Sequence, residues 1–161
     1  MFFKKKNTVE VSDTDIVSVA NGIIYPTSEI KDAVFAQEML GKTMAIKPDD
    51  KPQTLVAPCN GTLSVLYPTG HAYGITMKDG TSVLIHVGID TVNMKGKGFK
   101  ILARQDDVVK AGDPIVKADF VTIDEAGYDT SIMTIITENP TGRIFEFKEN
   151  AKVKATESIL K

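Results

Sequence analysis

Two histidines, His71 and His86, are the strongest candidates for a reactive site in this 161-residue chain. His86 lies in an apolar run, Val83-Leu84-Ile85-His86-Val87-Gly88-Ile89. Such surroundings exclude water from an imidazole, lower its pKa and leave the ring neutral. A neutral ring has a lone pair that can attack a phosphoryl group or bind a metal ion. The alternative is a core histidine that hydrogen-bonds to the backbone.

Whether the two histidines meet depends on a predicted hairpin between them. Asp79-Gly80 separates two β-rich segments and is a strong signal for a two-residue type I′ turn. In that register Tyr73 faces His86, and His71 lies on the same face as the diagonal neighbour of His86, roughly 7 Å away by Cα. A three-residue loop or a bulge would instead move one histidine to the opposite face. The sequence thus predicts a two-histidine site that depends on this register.

Other reactive residues give weaker signals. Lys78 lies at the predicted hairpin tip, where biotin and lipoate carriers hold a modified lysine, and the segment 108–113 resembles part of such domains. A carrier therefore stays an alternative, although exposed lysines at turns are commonplace. Cys59 lies in a turn without a nearby cation to lower its pKa, which favours a structural role. A structural zinc site needs four ligands, so His71 and His86 are possible zinc ligands only at a partner interface.

Composition limits the class of protein. Hydrophobic residues make up 42% and charged residues 25%, as in ordinary folded domains. The 19 Lys and Arg against 21 Asp and Glu give a net charge of −2, which argues against nucleic acid as a partner. No stretch reaches the roughly 20 apolar residues of a transmembrane segment. With a single cysteine and no signal-peptide pattern, we expect a cytoplasmic protein.

Short apolar runs alternate with turn signals from Ile16 onward, which predicts a mainly β chain of short strands. Two helical stretches interrupt the pattern, one capped by Asp32 and ending before Gly41, the other from Phe120 to Ala126. We expect residues 1–15 to be a flexible leader and residues 16–161 to be a single domain. The predicted strands are 16–20, 44–47, 53–57, 62–67, 72–77, 82–87, 99–103, 107–109, 114–118, 133–137, 143–147 and 152–155.

Several sequence strings resemble one protein family in the order in which they occur, from about residue 18 to residue 138. The family is the glucose-type enzyme IIA of the bacterial phosphoenolpyruvate-dependent sugar phosphotransferase system. The most specific string is His-x-Gly-Ile-Asp-Thr-Val, together with an upstream Thr-x-His-Ala. The matching segments are Met39-Leu40-Gly41, Ala45-Ile46-Lys47-Pro48, Val56-Ala57-Pro58, Asn60-Gly61-Thr62, Pro68-Thr69-Gly70-His71-Ala72, Leu84-Ile85-His86-Val87-Gly88-Ile89-Asp90-Thr91-Val92 and Gly96-Lys97-Gly98-Phe99.

This resemblance implies an all-β fold, an antiparallel β-sandwich or barrel-sandwich hybrid with a few short helices, and a phosphotransferase subunit that needs no cofactor. It implies that His86 is phosphorylated on Nε2 by the phosphohistidine of the histidine phosphocarrier protein. His86 then passes the group to a cysteine of enzyme IIB during sugar uptake. His71 is implied to hydrogen-bond the phosphate, and Thr69 to orient His71.

The resemblance also implies a docking surface around the histidines. The partners implied for this surface are the histidine phosphocarrier protein, as phosphoryl donor, and a sugar-specific enzyme IIB/IIC, as phosphoryl acceptor. A protein of another class remains an alternative, namely a regulator with this fold that docks to permeases or metabolic enzymes. The expected docking residues are an apolar collar and an acidic rim, formed by Val34, Phe35, Met39 and Val92 and by Asp32 and Asp90.

Overall fold

Short antiparallel strands separated by turns dominate the computed structural model, which describes residues 10–161. Two short α-helices and two 3-10 turns, Thr27–Glu29 and Thr91–Met94, lie between the strands. The elements in chain order are β1 Gly22–Tyr25, α1 Ala33–Ala36, β2 Lys42–Pro48, β3 Pro52–Val56, β4 Gly61–Leu66, β5 Ala72–Thr76, β6 Ser82–Val87, β7 Phe99–Ile101, β8 Val108–Val109, β9 Pro114–Asp119, α2 Phe120–Glu125, β10 Ile132–Glu138 and β11 Lys152–Val153.

The strands form two antiparallel sheets. The larger has the order β11-β1-β2-β10-β6-β5-β4-β8, and the smaller has the order β3-β9-β7. Side chains of both sheets share one buried core, for example Ile46 and Ile85 from the larger sheet and Val116 from the smaller one. The prediction of an all-β, antiparallel fold with a few short helices is therefore confirmed.

A second, smaller apolar cluster covers the outer face of the large sheet beside β6. Met133 and Ile135 of β10 alternate with residues that face the main core, so they project to the other side of the sheet. Phe35 of α1 and Ile89, just after β6, pack on them. This cluster fixes α1 against the end of β6, where His86 lies.

Helix α1 begins where the sequence predicts and ends earlier. The Asp32 side chain accepts hydrogen bonds from the backbone N–H groups of Val34 and Phe35, at 2.9 and 3.4 Å, which confirms it as the N-cap. The helix stops at Ala36, not near Leu40, because Glu38 adopts a left-handed backbone with φ of 55°. One turn of helix followed by an exposed loop results.

Two strand predictions were wrong, and one strand was not predicted. Residues 16–20 form only an isolated bridge between Val17 and Ser158, and residues 143–147 only one between Phe147 and Leu160. Strand β1 occupies 22–25 instead, directly after the Asn21-Gly22 turn signal. Residues 16–20 are buried without a continuous strand partner, so burial produced their apolar pattern. In residues 143–147 only Phe145 and Phe147 are buried, whereas Ile144 is 84% exposed.

The predicted leader falls partly on residues 1–9, which lie outside the described residues. Within residues 11–15, the Asn60 side-chain amide donates to Val11 O and to Asp13 Oδ1, each at 2.9 Å. The Ser158 hydroxyl donates to Asp15 Oδ1 at 2.7 Å. These residues therefore contact the folded body, while the division at residue 15 stays a prediction. No helix in residues 10–161 is long and apolar enough to cross a membrane.

Candidate functional site

The two histidines lie side by side. Their ring centroids are 5.3 Å apart, with the ring planes nearly perpendicular at 77°. His86 is the second-last residue of β6, and His71 directly precedes the neighbouring strand β5. The expectation that the pair shares one site is therefore met by the geometry.

The hairpin register predicted from the sequence was wrong by one residue. His86 pairs with Ala72, not with Tyr73, because the turn has three residues. Met77 N–H donates to Thr81 O at 2.7 Å, and Gly80 adopts φ of 92°. In a regular strand this shift would send His71 to the opposite face.

His71 still reaches His86 because it lies outside the regular strand. Gly70 before it has φ of 79°, which turns the chain between β4 and β5. The His71 carbonyl then accepts a hydrogen bond from Val87 N–H at 2.7 Å, next to His86. Strand alternation does not apply to a residue in this turn.

His86 has a defined proton position. Its Nδ1 is 2.9 Å from Gly88 O. A backbone carbonyl only accepts, so Nδ1 carries the proton of the neutral ring and Nε2 keeps its lone pair. Burial lowers the pKa of His86, and the Gly88 carbonyl and the carboxylates of Asp32 and Asp90 offset this only in part. The ring is therefore neutral at neutral pH, with a free lone pair on Nε2.

His71 is set by a different partner. Thr69 Oγ1 lies 2.5 Å from His71 Nδ1, so the hydroxyl can donate to that nitrogen and leave the ring proton on Nε2. Burial, followed by the neighbouring His86, lowers the pKa of His71 to about 4. His71 is thus a neutral ring able to act as a hydrogen-bond donor. The three residues expected at the site, His86, His71 and Thr69, lie together.

Aromatic rings pack on both imidazoles. The Phe35 ring centroid is 5.0 Å from that of His86, and the Tyr67 ring meets His71 edge-on at 5.1 Å. Sequence reasoning missed Tyr67. The available signal was its position directly after β4, where its N–H donates to Ala72 O across the turn.

The expected docking residues divide into exposed and buried groups. Met39 and Val92 are 66% and 49% exposed, and Val34 is also exposed. Phe35 is only 8% exposed, so it packs on the His86 ring and adds little to an outer surface. Leu40, in the loop after α1, is a further exposed apolar residue that was not among the expected docking residues.

The acidic rim residues play different local roles. Asp32 is half-buried as the cap of α1, whereas Asp90 is exposed with a left-handed φ of 63°. Both carboxylates act on the pKa of His86. They therefore bring negative charge close to the site.

The other candidate residues, Cys59 and Lys78, do not lie in an environment that would make them reactive. Cys59 is fully buried, and burial raises the pKa of its thiol to about 12, so it is not a thiolate nucleophile. Lys78 is exposed at the turn. Among residues 10–161 there is no group of three or more His, Cys, Asp or Glu residues that could hold a metal ion.

Comparison with known proteins gives consistent matches. The family model described as phosphoenolpyruvate-dependent sugar phosphotransferase system, EIIA 1, matches residues 14–141. The glucose-specific EIIA component of Oceanobacillus iheyensis is 34% identical over 148 residues, which cover 92% of this chain and 86% of that protein. The glucose-specific EIICBA component of Streptococcus pneumoniae is 35% identical over 159 residues, or 98% of this chain. This chain spans only 22% of that longer relative.

A solved structure shows the same fold. The glucose permease IIA from Mycoplasma capricolum superposes with a TM-score of 0.81 at 33% sequence identity. The match covers 99% of this chain and 98% of that one. The similarity therefore extends over the whole sandwich and is not confined to the histidine site.

Proposed function

The chain belongs to the EIIA 1 family of the phosphoenolpyruvate-dependent sugar phosphotransferase system, and we propose that it carries a phosphoryl group on Nε2 of His86. Members of this family are phosphotransferase subunits. Within that role, the histidine phosphocarrier protein is the donor and an enzyme IIB cysteine is the acceptor.

The observation that carries this proposal is the contact between His86 Nδ1 and Gly88 O. It leaves the Nε2 lone pair free on a neutral, half-buried ring, and a neutral imidazole is the form that attacks phosphorus. The ring gains positive character when Nε2 bonds to phosphorus. The Gly88 carbonyl then stabilises the retained Nδ1–H more strongly, since a charge-assisted hydrogen bond is stronger than a neutral one.

Each transfer exchanges one bond to phosphorus for another. The His86 Nε2 lone pair forms a new N–P bond while the N–P bond of the donor phosphohistidine breaks and its electron pair returns to the donor ring. In the second step an enzyme IIB thiolate forms an S–P bond, and the electron pair of the His86 N–P bond returns to Nε2. Such steps depend mainly on in-line positioning and charge stabilisation.

His71 supplies charge stabilisation in this proposal. The Thr69 hydroxyl at Nδ1 favours an N–H at Nε2 of His71. This N–H can donate a hydrogen bond to an oxygen of a phosphoryl group on the adjacent His86. Thr69 orients this ring and is a positioning residue. The exposed residues Val34, Met39 and Val92 form the docking surface, with Asp32 and Asp90 facing a basic partner. We place the reaction in the cytoplasm, with a sugar-specific enzyme IIB/IIC as the final partner.

Two histidine variants test the proposal. In a mixture of phosphoenolpyruvate, enzyme I and the phosphocarrier protein, His86→Gln should take up no phosphate. His71→Gln should take up phosphate but pass it to enzyme IIB about 100-fold more slowly, the loss typical of a removed stabilising donor. Lys78→Gln, at the exposed far turn, is the control and should behave as wild type. Normal phosphorylation of His86→Gln would refute the assignment.

A further inference from the structure

The carbonyl that holds the His86 ring belongs to a peptide unit bonded at both ends. Gly88 C=O accepts from His86 Nδ1, and the Ile89 N–H of the same peptide unit donates to Asp129 O at 3.0 Å. A peptide group that donates at one end is polarised and becomes a better acceptor at the other. The contact with Asp129 therefore both orients and strengthens the acceptor for His86.

The preceding peptide unit is held in the same way. Val87 C=O accepts from the Thr91 hydroxyl at 2.5 Å, and Gly88 N–H donates to Ser131 O at 2.8 Å. Two consecutive peptide planes next to His86 are thus fixed by acceptors in the short segment 129–131, just before β10. This segment lies 43 residues beyond His86 in the sequence and has no reactive pattern of its own.

Asp129 shapes that segment through its side chain. Its Oδ1 accepts from Ser131 N–H at 2.8 Å, which closes a turn and fixes the direction of the Asp129 and Ser131 carbonyls. The Ser131 hydroxyl also contacts the Tyr25 hydroxyl at 2.5 Å, linking the turn to β1. A Cβ on Gly88 would lie 3.0 Å from Asp129 O, so the two loops are closely packed.

We propose that Asp129 is a positioning residue for phosphoryl transfer, because its turn holds the Gly88 carbonyl on His86 Nδ1 and thereby keeps the reactive lone pair on Nε2. The inference rests on the proposed function of His86. It assigns no contact between Asp129 and the phosphoryl group. Its effect is confined to the tautomer and orientation of the nucleophile.

The test reads the ring itself. Two-bond proton–nitrogen NMR spectra of the unphosphorylated full chain at neutral pH report how the His86 proton divides between Nδ1 and Nε2. The chain has two histidines, and His71→Gln assigns their signals. Asp129→Ala should change the tautomer ratio towards Nε2–H by about five-fold, the effect of losing one ordinary hydrogen bond.

Further variants separate geometry from charge. Asp129→Asn keeps a side-chain oxygen for Ser131 N–H and should match wild type. Asp129→Glu keeps the charge but displaces the acceptor, so it should match Asp129→Ala. Asp79→Ala is the matched control, since Asp79 Oδ1 accepts from Thr81 N–H at 2.9 Å in the same kind of turn at the other end of the hairpin. It should leave the ratio unchanged.

Three outcomes overturn the inference: a wild-type ratio in Asp129→Ala, an Asp129→Asn ratio that matches Asp129→Ala, or an altered ratio in Asp79→Ala. If the inference holds, the rate of phosphate uptake should follow the ratio across the set. The NMR result does not depend on transfer. An altered ratio in Asp129→Ala combined with normal phosphorylation of His86→Gln would refute the proposed function while leaving the structural link intact.

Discussion

The two imidazoles differ in their hydrogen-bond partners at Nδ1, and therefore in which ring nitrogen can carry the proton. His86 faces a backbone carbonyl, which fixes its proton on Nδ1, whereas His71 faces the Thr69 hydroxyl, which can place the proton on Nε2. Burial lowers the pKa of both rings, so each is neutral at neutral pH. One ring therefore has a free lone pair on Nε2 and the other can carry an N–H there, as the proposed phosphoryl transfer requires.

The lowered pKa of His71 has a consequence for stability. In the unfolded chain this histidine titrates near 6.5, and in the folded protein near 4. Between these values the unfolded state binds more protons, so the free energy of unfolding falls as pH is lowered through this window and levels off below it. We expect the melting temperature to drop from pH 6.5 towards pH 4.

Thermal unfolding monitored by circular dichroism across that range checks the prediction. His71→Gln removes the titrating group and should show a shallower fall than wild type. The lowered pKa of His86 acts in the same direction, so part of the slope should remain in this variant. Parallel curves for the two proteins would contradict a buried, neutral His71.

At the scale of elements, alternation and turn signals predicted most strands of the two sheets but not every register. The Asp79-Gly80 signal located the hairpin correctly, yet the loop has three residues, so pairing differs by one. An Asp-Gly pair is compatible with a two-residue and with a three-residue hairpin loop, so the pair alone does not set the loop length. The two histidines are adjacent despite this error, because His71 lies in an irregular turn where strand alternation does not apply.

The sequence predicted the site residues that belong to a contiguous motif. It did not predict those contributed by segments distant in the sequence. His86, His71 and Thr69 come from contiguous strings. Tyr67 packs on His71 across a turn, and Asp129 accepts from Ile89 N–H from the loop before a neighbouring strand. Such contacts follow from the order of strands in the sheet, in which β10 lies beside β6, and no pattern in either segment encodes that order.

The loop after β6 needs glycine at position 88. Gly88 has φ of 80°, and an added Cβ would lie 2.4 Å from Thr91 Cγ2. Gly88→Ala should lower the free energy of unfolding by about 3 kcal/mol or more, since backbone strain and a steric clash combine. Gly127→Ala is the control because Gly127 has φ of 91° but no atom within 4 Å of an added Cβ.

Urea denaturation of both glycine variants measures the difference. Gly127→Ala should cost only about 1–2 kcal/mol, the effect of the left-handed backbone alone. Similar losses in the two variants would show that the loop after β6 can move, and that it does not hold the Gly88 carbonyl rigidly.

At the scale of the whole molecule, several of the exposed apolar residues lie in α1, in the loop after it and in the turn after β6. Val34, Met39 and Leu40 lie in and after α1, which packs near His86, and Val92 lies in the turn that follows β6. A carrier that meets two partners in succession needs contacts that form and release quickly. A small, partly apolar surface with acidic neighbours fits that requirement.

A charge placed on this surface should impair transfer without unfolding the protein. Val92→Asp should slow phosphate uptake from the phosphocarrier protein about ten-fold, while stability stays within about 0.5 kcal/mol, as for most exposed substitutions. Val108→Asp is the control, because Val108 is 85% exposed on β8 at the edge of the large sheet. Equal transfer rates for the two variants would contradict the placement of the docking surface.

The central claim is that Nε2 of His86 receives the phosphoryl group, and phosphorylation of the intact chain tests it most directly. The chain is incubated with phosphoenolpyruvate, enzyme I and the phosphocarrier protein. Its mass is measured before and after mild acid, and NMR identifies the modified ring nitrogen. We expect a single acid-labile phosphate on His86 Nε2. Phosphate on His71 or on Nδ1 of His86, or none while a verified acceptor in the same mixture is labelled, would contradict the account.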